Sequence, residues 1–317
     1  MIETRSDDPT PATTGPNPSS DPAPESTGSD GTGPPLRLGL PKGRMHDGVR
    51  QLLADAGIRL ETGPRDYRPK VSLEGFEVKI LKPQNIIEML AHGSRDLGFA
   101  GADWVRELGV DLVEILDTGM DPVRLVAAAP VDLLEDGKLP KQRLRVATEY
   151  PEMTAEWIDR AGIDAELVRS YGATEVFPPE DADCIIDNTA TGATLRANQL
   201  RIVDELMRSS TRLYASPEAA ADPVRRAAID RFAMLVRSVL EARGRAMIEV
   251  NVSQDDLDRV VEVLPSMRRA TISRLHHSEG YAVKAAVPRD SLPEIIPELK
   301  RRGGSDVVVT NLSQIVP

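Results

Sequence analysis

A buried strand that ends in an acidic residue and leads into a threonine-rich turn is the part of this chain best suited to chemistry. The apolar run of residues 184–186 is followed by Asp187, and Thr191-Gly192-Ala193-Thr194 comes after three further residues. A glycine permits a tight turn, and backbone N–H groups and hydroxyls at the start of a helix can hold a phosphate monoester. The same turn could simply cap a helix. Its place behind a strand that ends in Asp favours phosphate binding.

Basic residues follow two other predicted strands. Lys42 and Arg44 come directly after residues 36–40, and Lys82 follows residues 78–81. Ligands of open α/β sheets bind beyond the carboxyl ends of the strands. These cations are therefore candidate partners for phosphates, with solvated loop charges as an equal alternative.

Acidic residues surround the same predicted sites. Asp96, Gly101 and Asp103 bracket the strand centred on Phe99, and Asp103 could either cap the next helix or contact a ligand. Carboxylates near the threonine turn suit a substrate that arrives with Mg²⁺, because that ion bridges phosphate oxygens through few protein ligands. They are Glu166, Glu175, Asp183 and Asp187. No zinc-type His/Cys spacing, nucleotide-binding glycine fingerprint or activated nucleophile is found in the sequence.

Composition restricts the class of protein. A net charge of −11 argues against a nucleic-acid partner bound through a basic face. Residues 1–35 carry six acids and one base among Pro, Ser, Thr and Gly, so we expect a disordered tail. No segment is apolar for long enough to be a signal peptide or a membrane span. The single cysteine, Cys184, is expected to be a buried thiol in a cytoplasmic protein.

The remaining chain alternates between strands and amphipathic helices, which predicts an α/β fold. We expect two lobes with a cleft between them, as in periplasmic binding proteins: lobe I from residues 36–130 and 206–245, and lobe II from residues 131–205. Strands 112–116 and 125–129 are predicted on either side of a loop at 117–122, and separate strands at 202–206 and 212–215. Pro223 should begin a long helix, capped by Asp222, that ends near Arg243.

The last part of the chain, residues 246–317, has a different pattern. Its predicted order of strand, helix, two strands, helix and strand is that of a ferredoxin-like (ACT-like) α+β domain. Small domains of this kind often sense a ligand or mediate assembly, although a fold alone does not establish a function.

Several of these segments, in this order, resemble one family. They are residues 36–44, 96–103, 166–172, 187–195, 251–252, 264–267 and 309–310. Together they are similar to ATP phosphoribosyltransferase of histidine biosynthesis, in its long form with a C-terminal regulatory domain. The sequence departs from the family pattern at Thr174, at Asn188-Thr189-Ala190 and in residues 117–122.

The resemblance implies a reaction and a set of sites. ATP, through N1 of adenine, would condense with 5-phosphoribosyl 1-pyrophosphate and release pyrophosphate, with Mg²⁺ carried mainly by the substrate phosphates. The implied catalytic residues are Asp187, Lys42 and Arg44. Phosphoribosyl pyrophosphate would be bound by Asp187, Asn188, Thr191, Gly192, Ala193 and Thr194. ATP would be bound by Lys42, Arg44, Lys82, Asp96, Gly101 and Asp103.

The resemblance also implies that residues 246–317 bind histidine as a feedback inhibitor, with residues 275–280 as a candidate turn, and that the chain forms homo-oligomers from dimer to hexamer. Two other functions stay open. A non-catalytic two-lobed sensor needs only one anion site, whereas this chain has phosphate-type residues in both predicted lobes. A catalytically silent regulatory paralogue would not need to keep Asp187 together with Thr191, Gly192 and Thr194.

Overall fold

The computed structural model of the protein describes residues 34–61, 63, 67–265 and 269–316. The predicted disorder of residues 1–35 therefore lies outside the described residues, apart from the last two positions. Ser266 and Met267 of the family-like segment lie outside them as well. Among the described residues, none of the helices combines the length and the apolar character needed to cross a membrane.

In the first part of the chain, the described residues form ten strands and seven helices. The strands are β1 (Leu36–Pro41), β2 (Leu60–Glu61), β3 (Lys70–Val71), β4 (Phe76–Leu81), β5 (Leu97–Gly101), β6 (Val113–Pro130), β7 (Leu144–Thr148), β8 (Ala165–Arg169), β9 (Cys184–Thr189) and β10 (Leu200–Ala215). The helices are α1 (Arg44–Asp55), α2 (Pro83–Ala91), α3 (Ala102–Glu107), α4 (Pro151–Ala161), α5 (Ala193–Ala197), α6 (Pro217–Ala221) and α7 (Pro223–Arg243). The predicted α/β class is confirmed.

Eight of these strands form one sheet in the order β4-β1-β5-β10-β6-β9-β7-β8. β1 pairs in parallel with β4 and β5 on one side, and β7 pairs in parallel with β8 and β9 on the other. Because carboxyl ends of parallel strands meet at one edge, each side of the sheet has its own edge for ligands. The sheet thus has two α/β halves joined through β10 and β6.

The two central strands are longer than the sequence predicts. β6 includes residues 117–122, so the predicted loop there is wrong, and the separate strands predicted at 202–206 and 212–215 are one strand, β10. The pairing of β6 with β10 contains several register shifts and skips Asp121 and Pro122. A bulge accommodates a residue that cannot donate a ladder hydrogen bond.

The boundaries of the two lobes stay a prediction. Residues 211–215 of β10 pair with β5, whereas residues 124–128 of β6 pair with β9. We therefore propose that the lobes meet inside the long strands, near Arg124 and Ser209, rather than at residues 130 and 206.

Local signals explain the helices and the core. Asp222 accepts the N–H groups of Val224 (2.9 Å) and Arg225 (2.8 Å), so the predicted cap of α7 is confirmed. The short helix α6 before it is not expected from the sequence. Phe99 and Phe232 are fully buried against β1, and Cys184 is buried as predicted, which raises the pKa of its thiol to about 12.

The C-terminal part has its own sheet and core. Its strands are β11 (Arg245–Ser253), β12 (Thr271–Arg274), β13 (Gly280–Pro288) and β14 (Ser305–Asn311), and its helices are α8 (Leu257–Val261) and α9 (Leu292–Arg301). The antiparallel order β12-β13-β11-β14 is the predicted ferredoxin-like arrangement. Helix α8 is short, with only 5 residues.

Candidate active site

Two adjoining cavities lie where strand ends of both halves of the sheet meet. The larger has a volume of about 400 Å³ and the smaller about 50 Å³. Arg44 and Asn188 line both cavities, so the two lie side by side. The larger is also lined by Glu149, Gly172, Glu175, Asp187, Thr189, Ala190, Thr191, Ala193, Thr194 and Leu195. The smaller includes Gly101, Asp103, Trp104, Asp121, Ser209 and Thr211.

The threonine turn has the geometry expected of a small anion loop. Gly192 has φ +72°, a left-handed conformation that favours glycine, and α5 begins directly after it. The Gly192 N–H donates to Thr189 Oγ1 (3.0 Å), and the Ala193 N–H donates to Thr191 Oγ1 (3.3 Å). A phosphate could take over these N–H groups if the two hydroxyls rotate. Thr194 is exposed at the rim of the larger cavity.

Asp187 is the most electrostatically perturbed group of the larger cavity. Burial, together with the neighbouring charges of Glu149 and Glu175, raises the pKa of its carboxyl to about 7, against the effect of the Asn188 N–H that donates to it at 2.7 Å. Burial also raises the pKa of Glu149, whereas Arg169 and Lys82 lower it. Such a cavity favours a ligand that brings positive charge with it.

No three His, Cys, Asp or Glu side chains in the described part of the chain are close enough to chelate a metal ion. Of the four carboxylates that the sequence suggests for this region, Glu175 and Asp187 line the cavity. Glu166 instead pairs with Arg143 (3.3 Å), and Asp183 accepts the N–H of Arg145 (2.6 Å).

The predicted cations follow the strand ends as expected. Arg44 begins α1 and lines both cavities. Lys42 and Lys82 are exposed directly after β1 and β4, and the Lys42 N–H donates to the Leu81 carbonyl at 2.8 Å. Lys82 lies near enough to Glu149 to lower the pKa of that carboxyl. Lys42 lines neither cavity.

Asp103 is held in a buried hydrogen-bond network. Its two carboxylate oxygens accept from the Ser209 hydroxyl (2.7 Å) and the Tyr150 hydroxyl (2.8 Å). Tyr150 also accepts from the Asn188 side-chain amide (2.9 Å). Burial, and then the charge of Asp103, raises the pKa of Tyr150 well above its usual value. A Cβ on Gly101 would overlap the Asp103 carboxylate, so this position requires glycine.

Asp96 is not brought to either cavity. It precedes β5, at the opposite end of the strand from Gly101, and its carboxylate pairs with Arg37 (2.7 Å) and Arg225 (3.1 Å). Burial alone would raise the pKa of Asp96, but the bonds from Arg37 lower it overall. Asp96 therefore joins β1, β5 and α7 and serves the fold.

Glu149 and Tyr150 are site residues that the sequence analysis missed. Both follow β7 directly and precede the proline that begins α4. The rule that picked out Lys42 and Lys82, a polar residue just beyond a strand, would have found them as well.

Known proteins resemble this chain along most of its length. A family model described as ATP phosphoribosyltransferase matches residues 82–238, and a second, described as the HisG C-terminal domain, matches residues 242–314. An ATP phosphoribosyltransferase of Pelotomaculum thermopropionicum is 36% identical over 287 residues, which covers 89% of this chain and 99% of the relative. One of Pelodictyon phaeoclathratiforme is 33% identical over 286 residues, which covers 89% and 97%.

A solved structure is also similar. One chain of the ATP phosphoribosyl transferase (HisG:HisZ) complex from Thermotoga maritima matches with a TM-score of 0.58 and 26% identity, over 65% of this chain and 98% of that one. The two family models thus match much of the eight-stranded part and nearly all of the C-terminal domain. The chain is therefore a member of the ATP phosphoribosyltransferase family, in the long form that carries the C-terminal domain.

Proposed function

We propose that the protein joins N1 of the adenine of ATP to C1 of 5-phosphoribosyl 1-pyrophosphate and releases pyrophosphate, the first step of histidine biosynthesis. One observation carries this proposal. A cavity lined by the threonine turn and Asp187 adjoins a second cavity lined by Gly101 and Asp103, and Arg44 borders both. A transferase for two phosphorylated substrates needs ligand-binding groups on both sides of the reacting bond, and the junction of the two cavities supplies them.

Phosphoribosyl pyrophosphate would occupy the larger cavity. The turn of Thr191, Gly192, Ala193 and Thr194 offers hydroxyls and N–H groups to the 5-phosphate. Asp187 stands near the end of β9 with Asn188 beside it, next to that turn, where the Asp187 carboxylate can contact the ribose. The ionised form of the Asp187 side chain becomes more favourable when a cationic centre forms close to it.

ATP would lie on the side of α1 and α3. Arg44, with Lys42 and Lys82 at neighbouring strand ends, would neutralise the triphosphate or the pyrophosphate, while Gly101 and Asp103 would shape the nucleotide site. We leave Asp96 out of this proposed set because Arg37 and Arg225 bind its carboxylate away from the cavities.

The metal proposed for this reaction is Mg²⁺. Glu149, Glu175 and Asp187 are oxygen donors of the kind that Mg²⁺ prefers. The three do not chelate an ion together, but the ion needs few protein ligands when phosphates and water complete its shell. Its chemistry would be to neutralise the departing pyrophosphate. The donor set of the cavity fits an ion that arrives with the substrate.

The chain's own task is alignment and charge stabilisation. The transition state resembles an oxocarbenium ion, so carboxylates beside the ribose and cations beside the leaving group both stabilise it. Holding two polyanions in contact supplies the entropic part of the barrier reduction. Adenine N1 attacks through its own lone pair, so we assign no general base.

Regulation by histidine is part of the proposal. A cavity of about 550 Å³ in the C-terminal domain is lined by the ends of β11 and β13 and by the predicted turn at 275–280. Asp255, Glu279 and Asp306 give it an acidic character that suits the ammonium group of an amino acid. We also propose homo-oligomers, from dimer to hexamer, and a cytoplasmic location.

The test is release of pyrophosphate from ATP and phosphoribosyl pyrophosphate with Mg²⁺, with and without millimolar histidine. Release that requires both substrates and is suppressed by histidine is the expected result. Release without suppression would retain the transferase and reject the regulatory site. Saturable binding of either substrate without any release would favour the sensor or the silent paralogue.

A further inference from the structure

We propose that Asn188 presents its side-chain carbonyl oxygen to the junction of the two cavities and there accepts a hydrogen bond from the 6-amino group of ATP, with Tyr150 as the residue that orients it. This inference rests on the proposed function. It assigns a specific recognition contact to a position where the sequence departs from the family pattern.

The polarity of the network fixes the orientation of the amide. Both oxygens of the Asp103 carboxylate accept hydrogen bonds from hydroxyl groups, so the Tyr150 hydroxyl hydrogen points to Asp103 Oδ2 at 2.8 Å. The tyrosine oxygen can then only accept from Asn188. The NH₂ group of Asn188 must therefore face Tyr150, at 2.9 Å, and not the cavities.

Burial keeps this orientation in place. Tyr150 is fully buried, Asp103 is 5% exposed, and the second Asp103 oxygen is occupied by the buried hydroxyl of Ser209. Turning the amide over would place its oxygen against the Tyr150 oxygen, with no hydrogen between them. In a buried site that loss of a hydrogen bond is costly.

The location of Asn188 selects the ligand group. Asn188 and Arg44 border both cavities, so the asparagine stands where C1 of the ribose and N1 of adenine would meet. The 6-amino group is the hydrogen-bond donor next to N1. As the N1–C1 bond forms and the C1–O bond to pyrophosphate breaks, positive charge spreads from N1 onto the amino group. An acceptor at this point therefore binds more strongly in the transition state than in the ground state.

The ribose hydroxyls are the other donors within reach of the same oxygen. Purine riboside 5′-triphosphate, an ATP analogue without the 6-amino group, distinguishes a hydrogen bond from the amino group from one donated by a ribose hydroxyl. The measured quantities are the equilibrium dissociation constants of ATP and of this analogue, and the KM for phosphoribosyl pyrophosphate. All are measured on the full chain.

We expect the wild-type protein to bind ATP at least tenfold more tightly than the analogue. Asn188→Leu should reduce that ratio to near one, and Tyr150→Phe should reduce it partly because the amide is then free to turn. Adding Tyr150→Phe to Asn188→Leu should cause no further loss of discrimination. Asn85→Leu, an exposed position on α2 away from both cavities, should leave the ratio unchanged.

Three results would overturn the inference. An unchanged affinity ratio in Asn188→Leu would show that Asn188 does not contact the 6-amino group. Equal weakening of the binding of both nucleotides, together with a lower Tm, would show that Asn188 has only a structural role. A raised KM for phosphoribosyl pyrophosphate with an unchanged ratio of nucleotide affinities would show that the Asn188 oxygen binds a ribose hydroxyl instead. Turnover of the wild-type protein, measured first, separates these failures from failure of the proposed function.

Discussion

The indole ring of Trp104 stacks on the phenol ring of Tyr150, with centroids 4.5 Å apart and an interplanar angle of 27°. Trp104 belongs to α3, on the side of β5, while Tyr150 joins β7 to α4 on the other side of the sheet. The stack therefore holds the two halves together beside the cavities. Asp103 and Asn188, which flank it, keep their separation because both rings are buried.

Glu107 stabilises the same junction. Its carboxylate accepts hydrogen bonds from the N–H groups of Glu152 and Met153 (both 3.1 Å). These donors lie in the first turn of α4, where the helix itself provides no acceptor. Glu107→Ala should lower the free energy of unfolding by about 2 kcal/mol, since the buried N–H of Met153 and the partly buried N–H of Glu152 lose their acceptor. Urea denaturation measures the change. Glu156→Ala, which removes an exposed ion pair with Arg106, should cost less than about 1 kcal/mol, and equal effects would contradict the assignment.

Gly101 is required by the position of Asp103. Gly101→Ala should disturb the bonds of Asp103 to Tyr150 and Ser209, because the new methyl group would overlap the carboxylate. We expect at least a tenfold loss of kcat/KM for ATP and a lower Tm. Gly244→Ala is the matched control, since its Cβ would meet only ordinary contacts and its φ is −77°. Normal kinetics in Gly101→Ala would show that the Asp103 network is unnecessary.

Asp187 should make stability depend on pH. Its folded pKa of about 7 lies above the unfolded value near 4, so the folded protein binds more protons between these pH values. Stability contributed by the protonated carboxyl is therefore full below about pH 4 and is lost as the pH rises to about 7, by at most roughly 4 kcal/mol.

The Asp187→Asn variant tests this pH dependence. It lacks the ionisable group, so its free energy of unfolding should exceed that of wild type at pH 8, and the gap should narrow towards pH 5. Transferase activity should nevertheless fall. Parallel stability curves for the two proteins across this range would refute the raised pKa.

Thr194 provides a test of the phosphate turn. Thr194→Val preserves the shape of an exposed side chain but removes its hydroxyl, so phosphoribosyl pyrophosphate should bind about tenfold more weakly while the Tm stays unchanged. Equilibrium binding of this substrate is the measurement. Thr310→Val, at an exposed site on β14, should have no effect on binding. Unchanged affinity in Thr194→Val would show that the 5-phosphate binds elsewhere.

The C-terminal cavity predicts a separable effect on inhibition. Glu279→Gln should raise the histidine concentration for half-inhibition about tenfold without changing kcat, because the residue lies outside both catalytic cavities. Asp290→Asn, an exposed carboxylate outside the C-terminal cavity, is the control. Truncation that removes residues 247–317 should abolish inhibition altogether, and a truncated enzyme that histidine still inhibits would reject the regulatory domain.

Local signals in the sequence were enough for most elements. The cap at Asp222 and the proline after it locate α7, and alternating apolar residues locate β11. The long central strands were missed because Gly119 and Pro122 normally mark a loop. Here the pairing of β6 with β10 absorbs them in bulges, and only the partner strand makes that possible.

The candidate site could likewise be predicted only where a local sequence signal marks its residues. Strand-end positions identified Arg44 and Asp187, which now line one site. Asp96 was misplaced because the family-like segment around β5 contains both ends of the strand, and about 3.3 Å per residue separates Asp96 from Gly101 by roughly 16 Å. The bond between Tyr150 and Asp103 joins residues 47 positions apart, which no local pattern reports.

The pairing of β6 with β10 determines how the two halves of the enzyme can move. Both strands run without interruption from one half of the sheet into the other, so no flexible linker separates the halves. Any opening of the cleft must therefore bend this two-stranded ribbon elastically. We expect the bending to concentrate at the register shifts near Ser209–Thr211, where the hydrogen-bond ladder is interrupted. An elastic ribbon of this kind has a restoring force. The same piece of backbone would thus return the cleft to its relaxed form after it has been bent.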